Sequence, residues 1–195
     1  EGLHEETLRL SRLVEDLNEL SLLESGTLAL AIEGADLAVI ARIEAGRFAA
    51  RAAEQGVSIA VESAADPQHA AVDRLRIGQV IANLLGNALR HTPRGGSIRV
   101  RLEAPDGSRL RLAVEDSGPG IPVDERARVF ERYYRVDGAR AAAEGGRGLG
   151  LAIAAGIVKA HGGTMHAGSS AALGGAMVVM ELPAPRLDAA APAPL

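Results

Sequence analysis

Leucines at positions 10, 13, 17 and 20 recur at three- and four-residue spacing, with Arg9, Arg12, Glu15, Asp16 and Glu19 between them. That period predicts an amphipathic helix over residues 5–24, ended by Ser25-Gly26. The stripe covers fewer than three heptads, so it fits a helix packed on its own domain and a dimerisation helix equally well. Leu28 to Ile32 alternates weakly and reads as a strand. Asp36 is placed to cap a second helix that runs to about Gln55, with Gly56 as its stop. Val57 to Val61 alternates apolar and small residues, as a strand does, and Asp66-Pro67 reads as a turn. Asp73 to His91 forms a third helical period, closed by Thr92-Pro93 and Gly95-Gly96. Ile98-Val100-Leu102 and Leu110-Leu112-Val114, joined through Pro105-Asp106-Gly107, give the clearest hairpin signal in the chain. Val123 to Arg132 reads as a short helix, and Arg135 to Arg147 as a polar loop of functional length. Leu149 to Ala160 predicts a helix ended by Gly162-Gly163. Thr164 to Ala167 and Ala176 to Leu182 read as a closing strand pair. Helices with a mostly antiparallel sheet imply α+β layering.

Composition narrows the chemistry. The chain has 195 residues, 47% hydrophobic and 24% charged, with a net charge of −4. These are values of a folded globular chain, and the acidic balance argues against a nucleic-acid binder. Cysteine is absent, which excludes disulfides, thiolate nucleophiles and zinc–thiolate sites. Lys159 is the one lysine and lies in Gly-Ile-Val-Lys-Ala-His, so there is neither a P-loop nor a eukaryotic-type kinase lysine. Phosphate chemistry here must rely on arginine, backbone N–H groups and metal. Aromatic residues make up 2%, yet three of the four lie between Phe130 and Tyr134. No secretory leader and no run of roughly 18 apolar residues is visible, so a cytoplasmic setting is expected for this portion.

Three segments carry candidate chemistry. On the third helix, Ile77, Ile81, Leu84, Leu85 and Ala88 form an apolar face, while Asn83, Asn87, Arg90 and His91 share the other. Asparagine is a poor helix former, and a merely solvated face would favour Lys or Glu; taken alone, this polar face could still be incidental. Asp116-Ser-Gly118-Pro-Gly120-Ile121 follows a strand directly, which sets a carboxylate beside closely approaching backbone, though an ordinary strand-to-helix turn uses the same residues. Gly145-Gly-Arg147-Gly148-Leu149-Gly150-Leu151 opens a helix. Glycines there expose N–H groups and the positive dipole end, which suit phosphate. The spacing is not Gly-x-Gly-x-x-Gly, so a Rossmann site is excluded; a flexible hinge is the plain alternative.

Together the segments are far more specific. Asn83-x-x-x-Asn87-Ala-x-x-His91-Thr-Pro, Asp116-x-Gly118-x-Gly120-Ile, Phe130-Glu-Arg-Tyr-Tyr-Arg135 and Gly146-x-Gly148-Leu-Gly150-Leu follow one another. They resemble the N, G1, F and G2 boxes of the sensor histidine kinases of two-component systems, and Gly174-Gly175-Ala176 resembles a loose G3 element. The resemblance implies a Bergerat-type α/β two-layer sandwich, a mixed sheet with helices on one face, preceded by one amphipathic helix. It divides the chain into 1–26, the second helix of a dimerisation and phosphoacceptor hairpin; 27–184, the ATP-binding catalytic domain; and 185–195, a disordered tail.

The same resemblance implies roles. Asp116 would accept a hydrogen bond from the adenine amino group, and Asn87 would give its amide oxygen to Mg²⁺. Asn83, Asn87 and Arg90 would form the catalytic set, with Arg90 and His91 near the phosphates. Gly118, Gly120, Ile121, Tyr133, Arg135, Arg147, Gly148, Leu149, Gly150 and Leu151 would line the ATP site. The loop 135–147 would be the ATP lid, and Arg132, Arg135, Arg140 and Arg147 would neutralise phosphate charge. Phe130, Tyr133 and Tyr134 would pack the base of the lid against the domain. Fold relatives that hydrolyse ATP carry a Glu four residues before the Mg²⁺-binding Asn. Asn83 stands there instead, which favours a kinase over an ATPase. An ATPase or serine kinase of the same fold, and a non-catalytic dimerising scaffold, are the alternatives.

The family's acceptor box is not matched. His4-Glu5-Glu6-Thr7 shares two letters with it and lacks the proline, so the phosphoacceptor histidine is expected upstream. The expected partners are a second copy through the hairpin and a response-regulator receiver domain, in a parent protein anchored to the cell membrane. His69, His161 and His166 read as structural or exposed.

Overall fold

The computed structural model describes residues 2–64, 69–104, 108–135 and 148–184. The turns expected at Asp66-Pro67 and Pro105-Asp106-Gly107, most of the expected lid with Arg140 and Arg147, and the tail lie outside these residues, as do the side chains of His4, Leu10 and Arg12.

Helix α1 runs Gly2–Glu24, followed by β1 (Glu33–Asp36), α2 (Leu37–Gln55), β2 (Ser58–Ser63) and β3 (His69–Val72). Helix α3 (Arg74–His91) leads into β4 (Ser97–Glu103) and β5 (Arg109–Asp116), and α4 (Gly150–Ala160) precedes β6 (Thr164–Ser169) and β7 (Ala176–Pro183). Five strands form one mixed sheet in the order β2-β4-β5-β7-β6, in which only β2 and β4 are parallel. Strands β1 and β3 form a separate antiparallel pair.

Alternation along the strands separates two faces. Ile98, Val100 and Leu102 of β4, Leu110, Leu112 and Val114 of β5, and Val178, Met180 and Leu182 of β7 point to one core. Ile77, Ile81, Leu84, Leu85 and Ala88 of α3 and Ile153, Ile157 and Val158 of α4 fill it from the helical layer. With almost no aromatics, the core is aliphatic, and its packing depends on interdigitated Leu, Ile and Val. The opposite sheet face carries Arg99, Arg101, Glu103, Arg111 and Glu115. This is the two-layer mixed sheet with helices on one face, as expected.

The helix boundaries follow their caps. Asp36 caps α2 by accepting from the Ala38 N–H, and Gly56 closes it at φ 66°. Asp73 does more. Its Oδ1 accepts from Leu75 and Arg76 N–H at 3.0 and 3.1 Å, and its Oδ2 accepts from the Ala31 N–H at 3.0 Å. Its own N–H donates to His161 Nε2 at 3.0 Å, while His161 Nδ1 lies 2.8 Å from the Ile157 carbonyl. His161 is therefore structural.

That anchor explains one departure from the expected elements. Residues 28–32 form no strand; the Ala31 N–H is taken by Asp73, and the pairing moves to Glu33–Asp36 against His69–Val72. A second departure is 123–132, which forms two 3₁₀ turns, Val123–Glu125 and Arg128–Phe130, and not a helix. Val129 is the one residue of these turns that is buried, too little apolar surface to hold a continuous helix.

Helix α1 divides its apolar stripe. Leu20 is buried, and Leu13 and Leu23 pack against the core. A Cβ at Gly156 would lie 2.8 Å from Leu23 Cδ1, so this glycine lets α1 and α4 meet. Glu19 binds Arg76 and Gln79 of α3, and Glu24 pairs with Arg132. Val14 and Leu17, by contrast, are exposed.

Asp73→Ala is expected to lower stability by about 1–2 kcal/mol in urea unfolding at neutral pH, since a helix cap and the Ala31 tie are both lost. Burial acts to raise the Asp73 carboxyl, but the N–H bonds from Ala31, Arg76 and Leu75 outweigh it and hold the group below the ordinary aspartate value. Its contribution is therefore present above that ordinary value and lost as pH falls through the lowered one, so variant and wild type should converge in acid.

Candidate functional site

Strand β5 ends at Asp116, which is 5% exposed. Its Oδ1 accepts two backbone N–H bonds, from Gly118 at 2.8 Å and Ala176 at 3.1 Å. One donor comes from the turn that follows β5 and the other from the start of β7, so two segments far apart in the chain fix one carboxylate. Burial pushes this carboxyl above the ordinary aspartate value, against the opposing pull of the two N–H groups and of His91.

The glycines here are close-approach positions. A Cβ at Gly118 would lie 2.6 Å from the His91 carbonyl oxygen, and one at Gly175 would lie 2.5 Å from Asp116 Oδ1. Any side chain at either would push the carboxylate or the end of α3 away. Gly120 sits at φ 81°, where an L side chain is strained. The chain thus brings the end of α3, the turn after β5 and the start of β7 into one contact region.

A second region joins α3 to α4. Asn83 and Asn87 are half-buried on α3, and Arg90 and His91 are exposed near its end. A Cβ at Gly150 would lie 3.4 Å from Asn83 Oδ1, so the first turn of α4 abuts the asparagine face. Among the described residues no side chain caps α4, and Leu149 at its start offers none, in contrast to Asp36 and Asp73 at α2 and α3. Its leading N–H groups and dipole end therefore keep the capacity to bind an anion. Gly148, at φ 69°, accepts from the Tyr133 N–H through its carbonyl at 2.9 Å.

Not every expected residue contributes a side chain. Leu149 is buried in the core, so only its backbone could meet a ligand. Leu151 and Ile121 pack partly against the same core. Of the aromatic cluster, Phe130 packs on the core, and Tyr134 lies under the Arg128 guanidinium at 4.2 Å. Tyr133 does not pack as expected. It is 59% exposed and has φ 60°, because its backbone turns to meet Gly148. Arg132 pairs with Glu24, which commits it to α1. Arg135 is half-buried, and Arg147 lies outside the described residues. Among the described residues, no three His, Cys, Asp or Glu side chains cluster as a metal cage, and no helix is long and apolar enough to cross a membrane.

The mixed sheet with helices on one face is a sandwich of the Bergerat kind, and comparison with known proteins agrees on that fold. Residues 72–186 match the family model described as histidine kinase-, DNA gyrase B-, and HSP90-like ATPase, which covers more than half of the chain. The chain is 39% identical over 185 residues to the signal transduction histidine-protein kinase BaeS of Escherichia coli, covering 95% of this chain and 39% of BaeS. Full-length ShkA in complex with AMPPNP superposes with a TM-score of 0.83 at 33% identity, covering all of this chain and 39% of that one. The histidine kinase ThkA in complex with the response regulator TrrA gives a TM-score of 0.72 at 25% identity, with 91% and 49% covered. The chain belongs to the histidine kinase-, gyrase B- and HSP90-like ATPase family. It is similar to the ATP-binding catalytic portion of sensor histidine kinases, and it spans about two-fifths of the length of BaeS.

Asp116→Asn keeps an acceptor for Gly118 and Ala176 and removes a buried charge. Thermal melting at pH 7–8 should therefore show a Tm equal to or above that of wild type. As pH falls, wild type gains the stability that burial withholds from the ionised form, fully present below the ordinary aspartate value, so the two melting curves should converge in acid.

Proposed function

We propose that this chain binds Mg²⁺–ATP between α3, the β5 end and α4, and presents its γ-phosphoryl group to a histidine nitrogen of the parent kinase. The imidazole nitrogen attacks the γ-phosphorus, the bond to the bridging oxygen breaks, and ADP leaves. Neutral imidazole is already a nucleophile, so the domain's task is positioning and charge neutralisation. The observation that carries the reading is the buried Asp116 carboxylate, with both backbone donors on one oxygen. Its other oxygen is the acceptor for a 6-amino purine. A 6-oxo purine sets acceptor against acceptor and leaves a buried group unpaired, at a cost of about 1–3 kcal/mol.

Asn87 suits Mg²⁺, which takes few protein ligands and completes its shell with water and phosphate oxygens. When bound, the ion would neutralise and orient the terminal phosphates. Arg90, His91 and the uncapped start of α4 would face the phosphate chain, with Gly148 and Gly150 admitting it close to the backbone. Asn83 supplies no carboxylate to activate water, which favours transfer over hydrolysis. Residues 1–26 would be the second hairpin helix, with exposed Val14 and Leu17 available to a partner hairpin helix or to a second copy. By likeness to ThkA, a response regulator would receive the phosphoryl group.

The test is calorimetric titration of ADP and a non-hydrolysable ATP analogue, with and without Mg²⁺. Wild type should bind both, more tightly with the ion. Asp116→Asn should weaken both by about ten- to a hundred-fold. Asn87→Ala should lose the Mg²⁺ enhancement while keeping ion-free ADP binding. No binding by wild type under either condition would overturn the reading, and rapid phosphate release from ATP would favour an ATPase.

A further inference from the structure

Glu115 and Asp116 are neighbours on β5 and therefore point to opposite faces of the sheet. Glu115 has its side chain 3% exposed; it accepts from Arg99 at 2.8 Å and from Ser170 Oγ at 2.7 Å, and it forms an ion pair with Arg101 at 3.1 Å. Burial acts to raise its carboxyl, but the bonds from Arg99 and Ser170 and the two arginine charges hold it below the ordinary glutamate value, so it is ionised at neutral pH.

Ser170 is the hub of the connection between β6 and β7. Its Oγ accepts from the Leu173 N–H at 3.0 Å, its carbonyl accepts from the Gly174 N–H at 2.9 Å, and its N–H donates to the Gly175 carbonyl at 2.9 Å. The same connection ends in Gly175, with no room for a side chain against Asp116, and in Ala176, whose N–H bonds Asp116 Oδ1. Two adjacent carboxylates thus grip one short loop from the two sides of the sheet. Glu115 fixes where the loop begins, and the loop's end fixes the rotamer of Asp116.

The geometry points to Ser170 and Glu115 as a positioning pair for base recognition: they hold the β6–β7 connection so that Ala176 and Gly175 aim the Asp116 carboxylate at the purine amino group. The inference rests on the nucleotide reading of this site and adds to it two residues that touch no ligand. It also accounts for a buried glutamate flanked by half-buried arginines on the sheet face opposite the helices. Arg99 and Arg101 neutralise Glu115, and Ser170 conveys its position to the far side.

The test compares ADP with inosine diphosphate, a 6-oxo purine, by titration into wild type, Ser170→Ala and Ser170→Thr of this 195-residue chain. Wild type should prefer ADP. Ser170→Ala should weaken ADP by about five- to ten-fold and leave inosine diphosphate little changed, which narrows the preference. Ser170→Thr keeps the hydroxyl and should restore it. Glu115→Gln keeps an acceptor for Ser170 without the charge; it should narrow the preference in the same direction by a smaller factor, and it carries the test should Ser170→Ala not fold. Equal loss of both nucleotides, or an unchanged preference in folded Ser170→Ala, would overturn the inference. Absence of ADP binding by wild type would instead overturn the nucleotide reading itself.

Discussion

A carboxylate that is to read a ligand must be out of water and still able to ionise, and these requirements oppose each other. At Asp116 two backbone donors, aided by the charge of His91, work against burial. Gly118 and Ala176 each give an N–H to the same oxygen, so the charge is partly satisfied while the side chain stays in one orientation. The rest of the fold is arranged around that bond pair. The sheet brings β7 beside β5 in the register that sets Ala176 near Asp116, and Gly118 and Gly175 are bare because no Cβ fits between the carboxylate and its neighbours.

The opposite pole of the site is organised by helix ends. Asp73 fixes the start of α3, His161 ties the end of α4 to the same point, and the asparagine face of α3 meets the start of α4 beside Gly150. The two helices therefore share one anchor at one end and leave an uncapped helix terminus at the other. Helix α1 rests on this pair through Leu20, Leu23 and Glu19 and reaches the aromatic segment through Glu24 and Arg132. A displacement of α1 would be felt at once by α3, by α4 and by the residues next to Gly148.

Much of this was legible before any coordinates. The cap at Asp36, the glycine at 56, the alternating runs of β4, β5 and β7, and the apolar face of α3 are local signals, and local physics settles them. The site residues were legible as a pattern of boxes, because close backbone approach requires glycine and leaves a visible spacing. What escaped was long-range. Glu33–Asp36 and His69–Val72 have no strand-forming composition and pair because Asp73 seizes the Ala31 N–H across 42 residues. The 3₁₀ turns at 123–130 replaced a helix because too little apolar surface lay beneath them. The Glu115–Ser170 bond joins residues 55 apart, and nothing in either neighbourhood announces the other.

The bond from Ala176 to Asp116 spans 60 positions of chain and closes only when β7 has been added between β5 and β6. Non-local pairings of this kind are slow to form, because loop entropy is spent before contact is gained. The paired Asp116 carboxylate is thus among the last features to be assembled as the chain folds. A chain that halts after β6 has the helices and most of the core and still no aimed acceptor. Ligand occupancy then draws on the completed sheet, and mass action lets ATP select fully folded molecules over nearly folded ones.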